Sequence, residues 1–367
     1  MRAFARIGVI LGVLAALALP SASAPAAPAE WTLPPDDPQV ISQSMKDVQA
    51  CLSVEGSTLA VFYLIDTSGS MNKTDSQGLR YKAIQASIEP LAKLTDSTSP
   101  APHPVKIAAG TFSSGYSQVL IPNADAQGWV DLSKGNERSV ATGLSNAVLK
   151  AGTAGSTNWA LAIQGAAAAL KTQAQSAGGK PNCQMLVWLT DGGIDVSNEI
   201  GPDASAQALA DLCGVSPTAD PQVVPEGSMF QLRDSGVAVL GLLLATGDLT
   251  PAGTISRMSY FKPVVQGTGK VDPTFFAPRG KVPSTYDCGA NAEGAQGAQL
   301  LTRNASQLAT TFTEMVNCFV ETCTNGLDPV DRNPEWDLWM PKGLSKVVIT
   351  APRNSVLKVG SETWCQP

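Results

Sequence analysis

LAVFYLIDTSGSMNKTD, residues 59–75, runs apolar up to Ile65 and then sets Asp66, Ser68 and Ser70 at alternate positions. A continuous apolar run of this length, closed by turn residues, predicts a strand buried on both faces. Strands of a parallel sheet covered by helices read this way. Acid and hydroxyl side chains at every second place of a tight loop can turn to one side, and Gly69 lets the backbone wrap closely around them. The stretch therefore predicts a buried strand that delivers oxygen atoms to one edge of a sheet.

The same alternation of apolar runs and helical patterns continues outward from it. Val40 to Leu52 reads as a short helix before the strand. After it, Leu79 to Leu94 carries Tyr81, Ile84, Ile88 and Leu91 at helical spacing, so one face packs inward. Val105 to Phe112 is the next strand, and Gln118 to Ile121 a short one stopped by Pro122. Ser139 to Lys150 reads as a helix, followed by GSTNWALAIQGAAAALKTQAQ from Gly155, whose small side chains permit close approach to a sheet. Cys183 to Leu189 and Val237 to Leu244 are further buried strands, with a helix at Ala204 to Cys213 between them. Ser306 to Phe319 keeps Leu308, Phe312, Met315 and Phe319 in helical phase. For a sixth central strand, Pro263 to Gln266 and Val282 to Tyr286 are the candidates.

This order predicts an α/β fold: a doubly wound, mostly parallel central sheet flanked by helices, with a short β-rich C-terminal extension. The expected boundaries are a signal peptide and cleavage region at 1–29, a leader at 30–55, the α/β domain at 56–322 and the extension at 323–367. Lys346 to Ile349 and Val356 to Val359 are the strand-like pieces of that extension. Arg2 and Arg6, the apolar Ile7 to Leu19 and the small residues Ala22-Ser23-Ala24 have the layout of a secretory signal, with an uncleaved anchor as the alternative. Secretion is thus expected, with membrane contact only through that signal. The 367 residues carry a net charge of −6, and losing Arg2 and Arg6 makes it −8. An acidic chain of this kind argues against nucleic acid as a partner, because binding phosphates concentrates Lys and Arg.

Export gives the seven cysteines the chance to form lasting disulfides. None stands in C-x-x-C spacing and the single histidine, His103, lies in the turn-like PAPHPV, so a zinc centre is not expected. In an alternating fold, Cys183 at the start of a strand and Cys213 at the end of the next helix both belong at the lower edge. Cys51 and Cys318 belong there too. The expected bridges are Cys183–Cys213, Cys51–Cys318 and Cys323–Cys365, with Cys51–Cys323 as an alternative and Cys288 as the odd one.

Three segments bring oxygen ligands to the carboxyl edge of the sheet, where open parallel sheets bind ligands: DTSGS at 66–70, Thr157 in GSTNWALA, and Asp191 in VWLTDGG. D-x-S-x-S alone occurs in many loops; the specificity comes from the three pieces in this order, each at the end of its element. Together they resemble the metal-ion-dependent adhesion site of von Willebrand factor type A domains, over roughly residues 56–322. The overall likeness is to secreted or surface-displayed bacterial proteins of that family. The resemblance implies a metal site with Asp66, Ser68 and Ser70 at its base. Thr157 and Asp191 would bind directly or through water, and exchange between these modes would shift the linked helices. Hard oxygen donors suit Mg²⁺ or Mn²⁺ rather than zinc or copper. With so many neutral hydroxyls the cation stays incompletely neutralised, and an Asp or Glu of a protein partner can fill its open position.

Plainer roles stand beside these. Ser156-Thr157-Asn158 also suits a helix N-cap, Asp75 can cap the helix that follows it, and Asp195 reads as a turn residue. DPVDRNPEWD lacks the glycine and final glutamate of a calcium loop, and GTGK at 267–270 lacks the rest of a P-loop. No G-x-S-x-G elbow is present and His103 is poorly placed as a base, so the expectation is not an enzyme. The sequence reads as an extracellular, metal-dependent, adhesion-type protein-binding module. The alternatives are a structural module whose metal stiffens loops, and a metal-dependent hydrolase.

Overall fold

Thr58–Asp66 forms β1, buried from Leu59 to its last residue. Around it a computed structural model describes residues 47–76, 78–96, 102–179, 181–196, 204–213, 227–244, 261–267, 270–271, 286–288, 297–302, 356–359 and 362–365. The signal-peptide region, most of the leader and the helix expected at Ser306 to Phe319 lie outside the described residues. The chain divides into two units, residues 35–334 and residues 1–34 with 335–367. In the second, the described residues form an antiparallel pair, Val356–Val359 with Glu362–Cys365.

In the larger unit a single turn, α1 (Met71–Thr74), and the helix α2 (Leu79–Lys93) lead from β1 to β2 (Val105–Phe112). Two short strands, β3 (Tyr116–Val119) and β4 (Val130–Leu132), precede α3 (Glu137–Ala151) and α4 (Trp159–Ser176). Then come β5 (Asn182–Thr190), α5 (Ala204–Cys213), α6 (Ser228–Asp234) and β6 (Val237–Leu244). A small ladder, β7 (Lys270–Val271) with β8 (Tyr286–Asp287), comes before β9 (Gly297–Thr302). The main sheet runs β3-β2-β1-β5-β6-β9, with β4 also on β2. The pairs β1–β2, β1–β5, β5–β6 and β6–β9 are parallel. β3 and β4 are antiparallel to β2, one covering its upper half and the other its lower half. The α/β architecture expected from the sequence is thus present, as a mixed and mostly parallel sheet between helices.

Alternate residues of each strand feed opposite cores. Leu59, Val61, Tyr63 and Ile65 join Met185, Val187 and Leu189 under α2 and α3. Phe62 and Leu64 join Leu186 and Trp188 under α4, α5 and α6. A one-residue slip of β1 would exchange the two sets, so burial on both faces fixes the register. Trp188 meets Trp159 and Phe261 edge-on, with centroids 5.1 and 5.0 Å away. Each such pair contributes about 0.5–1.5 kcal/mol beyond its buried area.

Three expectations need correction. Residues 261–266 are helical rather than a strand, and Phe261, Val264 and Val265 are buried. The outer parallel strand is β9, whose Gly297 lies where a Cβ would collide with the Val265 carbonyl. The third strand begins at Tyr116, two residues before the expected Gln118, because Ser113 and Gly115 close a tight hairpin off β2. The disulfides also differ: Cys51 joins Cys183, and Cys213 joins Cys288. The lower-edge argument overlooked the faces of the sheet. Cys183 points into the core beneath α2 and α3, whereas Cys213 packs in the core on the other side. The helical residues 47–52 fold back beside β1, whose neighbour in register at Leu59 is Cys183. Cys318 and Cys323 lie outside the described residues.

The alanine-rich α4 approaches the sheet through one ring. Tyr116 is wedged between Gly110 of β2 and Gly165 of α4, and a Cβ on either glycine would fall inside the ring's van der Waals surface. Gly165→Ala should gain about 1 kcal/mol in helix propensity but lose about 1–3 kcal/mol to overpacking. Urea denaturation is expected to show net destabilisation; a more stable variant would disprove the wedge. Non-reducing peptide mapping should recover Cys51 linked to Cys183, not to a cysteine beyond residue 300.

Candidate functional site

β1 is the point where the winding reverses: chain order leads from it to β2 on one side, while β5 lies on the other. The crevice beyond the carboxyl ends of such strands is where open sheets hold ligands. Asp66 is the last residue of β1 and Asp191 directly follows β5. Both are fully buried. The sequence places them 125 positions apart, and the parallel pairing of β1 with β5 brings them to one edge.

The loop after β1 is shaped by Asp66 itself. Its Oδ1 accepts from the Ser68 N–H at 2.8 Å, and its Oδ2 accepts from the Thr190 hydroxyl at 2.7 Å. The Ser68 and Ser70 hydroxyls stand 3.0 Å apart, so the two serines do turn to the same side. Asp191 Oδ2 accepts from the Thr74 hydroxyl at 2.7 Å, and its Oδ1 from the Gly193 N–H at 3.3 Å. Thr74 and Thr190, which sequence reasoning did not single out, each hold one carboxylate oxygen. Thr190 adjoins Asp191 and was legible as part of the motif, whereas Thr74 reaches Asp191 only through the tertiary fold.

Thr157 arrives from a third segment, which backbone bonds secure to the others. The Gly69 N–H donates to the Gly155 carbonyl at 3.0 Å, and the Ala154 N–H to the Thr67 carbonyl at 3.0 Å. Thr157 and Asp195 exchange backbone bonds of 2.7 and 3.1 Å, an isolated antiparallel bridge. Asp195 is therefore a clasp between two of the loops, more than the turn residue expected. The loop after β2 contributes as well: the Ser113 carbonyl accepts from Asn158 N–H, and the Ser114 hydroxyl from Ser156 N–H. Helix capping falls to Asn158, whose side chain accepts from Leu161 N–H. That leaves the neighbouring Thr157 with no cap to make. Asp75 caps as expected, accepting from the N–H groups of Leu79 and Arg80.

The electrostatics follow from burial. Removal from water raises the Asp66 pKa first and the charge of Asp191 raises it further, to about 7, against the lowering effect of its hydrogen bonds. The donors that reach Asp66 are neutral. No three His, Cys, Asp or Glu side chains gather into a metal-binding group among the described residues. An ion at this edge would be met by carboxylates and hydroxyls, a hard-oxygen set that suits a small divalent cation. His103 is remote from this chemistry: its Nδ1 lies 3.2 Å from the Ser57 hydroxyl, just before β1, at the opposite end of the strand.

Residues 61–193, which include all five expected ligands, match the family model of the von Willebrand factor type A domain. The region is thus a domain of that type, as its motifs implied. Among solved structures the chain is similar to a von Willebrand factor type A protein from Catenulispora acidiphila, at 14% identity and TM-score 0.34, covering 72% of this chain and 43% of that one. It is similar to proximal thread matrix protein 1 of the mussel byssus, solved with a zinc-occupied MIDAS motif, at 13% identity and TM-score 0.37, covering 71% and 48%. It is also similar to the PilB minor pilin of Streptococcus sanguinis, at 15% identity and TM-score 0.40, covering 71% and 61%. The chain spans less than half the length of the first two of these. No curated protein matches it.

A raised carboxyl pKa has a definite consequence for the metal-free protein. Between the ordinary value of 3.8 and about 7 the folded state binds more protons at Asp66 than the unfolded state does. That contribution to stability is complete below the ordinary value and is lost as pH rises through about 7. Thermal melts in EDTA should show Tm falling across this window, with a shallower slope in Asp66→Asn. Equal slopes in the two proteins would remove Asp66 as the source.

Proposed function

We propose that this protein is an extracellular binding module that docks an acidic side chain of a protein partner through a divalent cation. The observation that carries the reading is the meeting of two fully buried carboxylates and a serine pair at the switch point of the sheet. In this reading Asp66, Ser68, Ser70, Thr157 and Asp191 hold Mg²⁺ or Mn²⁺. The cation supplies charge and an open coordination position when bound. The residues of the chain do the rest: Thr190 and Thr74 orient the two carboxylates, and the buried floor keeps water from the inner oxygens. A partner Asp or Glu provides an oxygen and a charge together, so recognition and neutralisation coincide. The two disulfides support an oxidising, extracellular setting.

The backbone favours docking over a metal that merely stiffens the loops. Four backbone hydrogen bonds already join the 66–70, 153–157 and 195 segments without any ion. Hydrolysis has less support, since the single histidine sits at the far end of β1 and offers no base at this edge.

Calorimetry should record uptake of Mg²⁺ or Mn²⁺ by the wild type and none by Asp66→Ala with its circular dichroism unchanged. Capture from the surface fraction of the source cells should then yield a protein retained in Mg²⁺ and released in EDTA or by the variant. The same proteins retained in all three cases would end the docking reading; an unfolded variant would favour the structural one.

A further inference from the structure

The other end of the sheet carries a cavity of about 440 Å³, on the face covered by α4. Thr58 and Lys106 form its floor, one at the start of β1 and the other in β2 beside Ala60. Both stand on the face that Ala60 and Ala108 turn toward α4. Gln173 and Ser176, in the last turn of α4, make one wall; Asp125 and Gln127, in the loop between β3 and β4, make another. Thr58 and Asp66 are the two ends of β1, so at about 3.3 Å per residue the cavity lies roughly 26 Å from the carboxylate edge.

Gln173 is the unusual member. It is 2% exposed, its Oε1 accepts from the Ser176 hydroxyl at 3.1 Å, and its Nε2 donates to no described residue. That nitrogen is not sealed in, as the unpaired amide of Asn182 is, but opens on the cavity. A polar group set in a packed wall without a protein partner calls for an occupant. Asp125 holds its own loop with Oδ1, which accepts from the Gln127 and Trp129 N–H groups at 2.9 Å. Its Oδ2 has no donor among the described residues. Lys106 Nζ lies 2.7 Å from Asp131 Oδ1, and an ammonium has further hydrogens to give.

The lining decides the class of occupant. An anion would meet the Asp125 carboxylate and the carbonyl end of α4, whose last turn has no basic residue. A cation would meet Lys106. A hydrophobic group would find only Ala126 and Ala177, the other lining side chains being polar. A neutral molecule with several hydroxyls suits them all, because each hydroxyl both donates and accepts. Hydroxyls of a sugar ring can donate to Asp125 and accept from Gln173 and Lys106. The volume lies within the roughly 300–1,000 Å³ of small-molecule sites.

The geometry points to a saccharide site at the foot of the sheet, where Gln173, Lys106 and Asp125 hold the hydroxyls of a neutral sugar. The site stands without the metal reading. With it, one domain would engage a glycan at one end of the sheet and an acidic protein at the other.

The test follows the Gln173 side-chain amide by ¹H–¹⁵N NMR in EDTA. The probes are the methyl pyranosides of glucose, galactose and mannose, with phosphate and methylammonium as charged controls. At least one pyranoside should shift the resonance saturably, and neither control should. Gln173→Met, which keeps the length without the amide, should weaken that sugar about tenfold, read by saturation transfer from protein to sugar. Lys106→Met should weaken it as well, and decides the matter should Gln173→Met fail to fold. No saturable shift with any pyranoside leaves water as the occupant and overturns the site. A saturable shift by phosphate overturns the neutral class, and undiminished sugar binding by either folded variant overturns the assigned residues. Because metal is excluded, failure here leaves calorimetric metal uptake untouched, and loss of that uptake leaves this site standing.

Discussion

Two carboxylates buried side by side are the constraint around which this domain is organised. Asp66 and Asp191 end adjacent parallel strands, and neither is exposed to water. Removing charged groups from water is unfavourable unless something compensates, by hydrogen bonds, by protonation or by a cation. The fold supplies the first through Thr190, Thr74 and the Ser68 and Gly193 N–H groups. Burial and the neighbouring Asp191 charge raise the Asp66 pKa in spite of those bonds. In the proposed function a divalent cation would supply the remaining compensation.

The surrounding loops are held by their own backbone rather than by side chains alone. Thr67, Gly69, Ala154, Thr157 and Asp195 take part in bonds that cross between segments far apart in sequence. Such bonds fix where the hydroxyls stand before any ligand arrives, which reduces the ordering that binding must cost. They also join the loops directly, Thr157 to Asp195 and Gly69 to Gly155. Below them, the register of β1 is fixed by two cores, so the edge that carries the oxygens is as well defined as the strands beneath it.

Past the serine loop, Arg80 is buried between Asp75 and the ring of Tyr81. Asp75 caps α2 with the same carboxylate that lies 3.6 Å from Arg80 Nε, so one buried acid both starts the helix and faces the guanidinium charge. Thr74, next in chain to Asp75, bonds to Asp191. The carboxylates at the switch point and the Asp75–Arg80 pair are therefore joined through a single helical turn.

The sequence by itself determined the strands and helices whose apolar pattern is continuous or periodic, because burial of those side chains leaves few alternatives. It also determined the candidate ligands of the first loop, because Asp66, Ser68 and Ser70 are neighbours whose spacing sets their common direction. β9 was hidden, since GAQLLT mixes small and polar residues and is a strand only because β6 offers it a parallel edge. The disulfides were misread because sequence order gives the end of the sheet but not the face, and Cys183 and Cys213 lie on opposite faces. Thr74 on Asp191, the Thr157–Asp195 clasp and the gathering of Thr58, Lys106 and Gln173 around one cavity were likewise decided only by the tertiary structure. Each depends on contacts between residues whose separation in the chain carries no information about their distance in space.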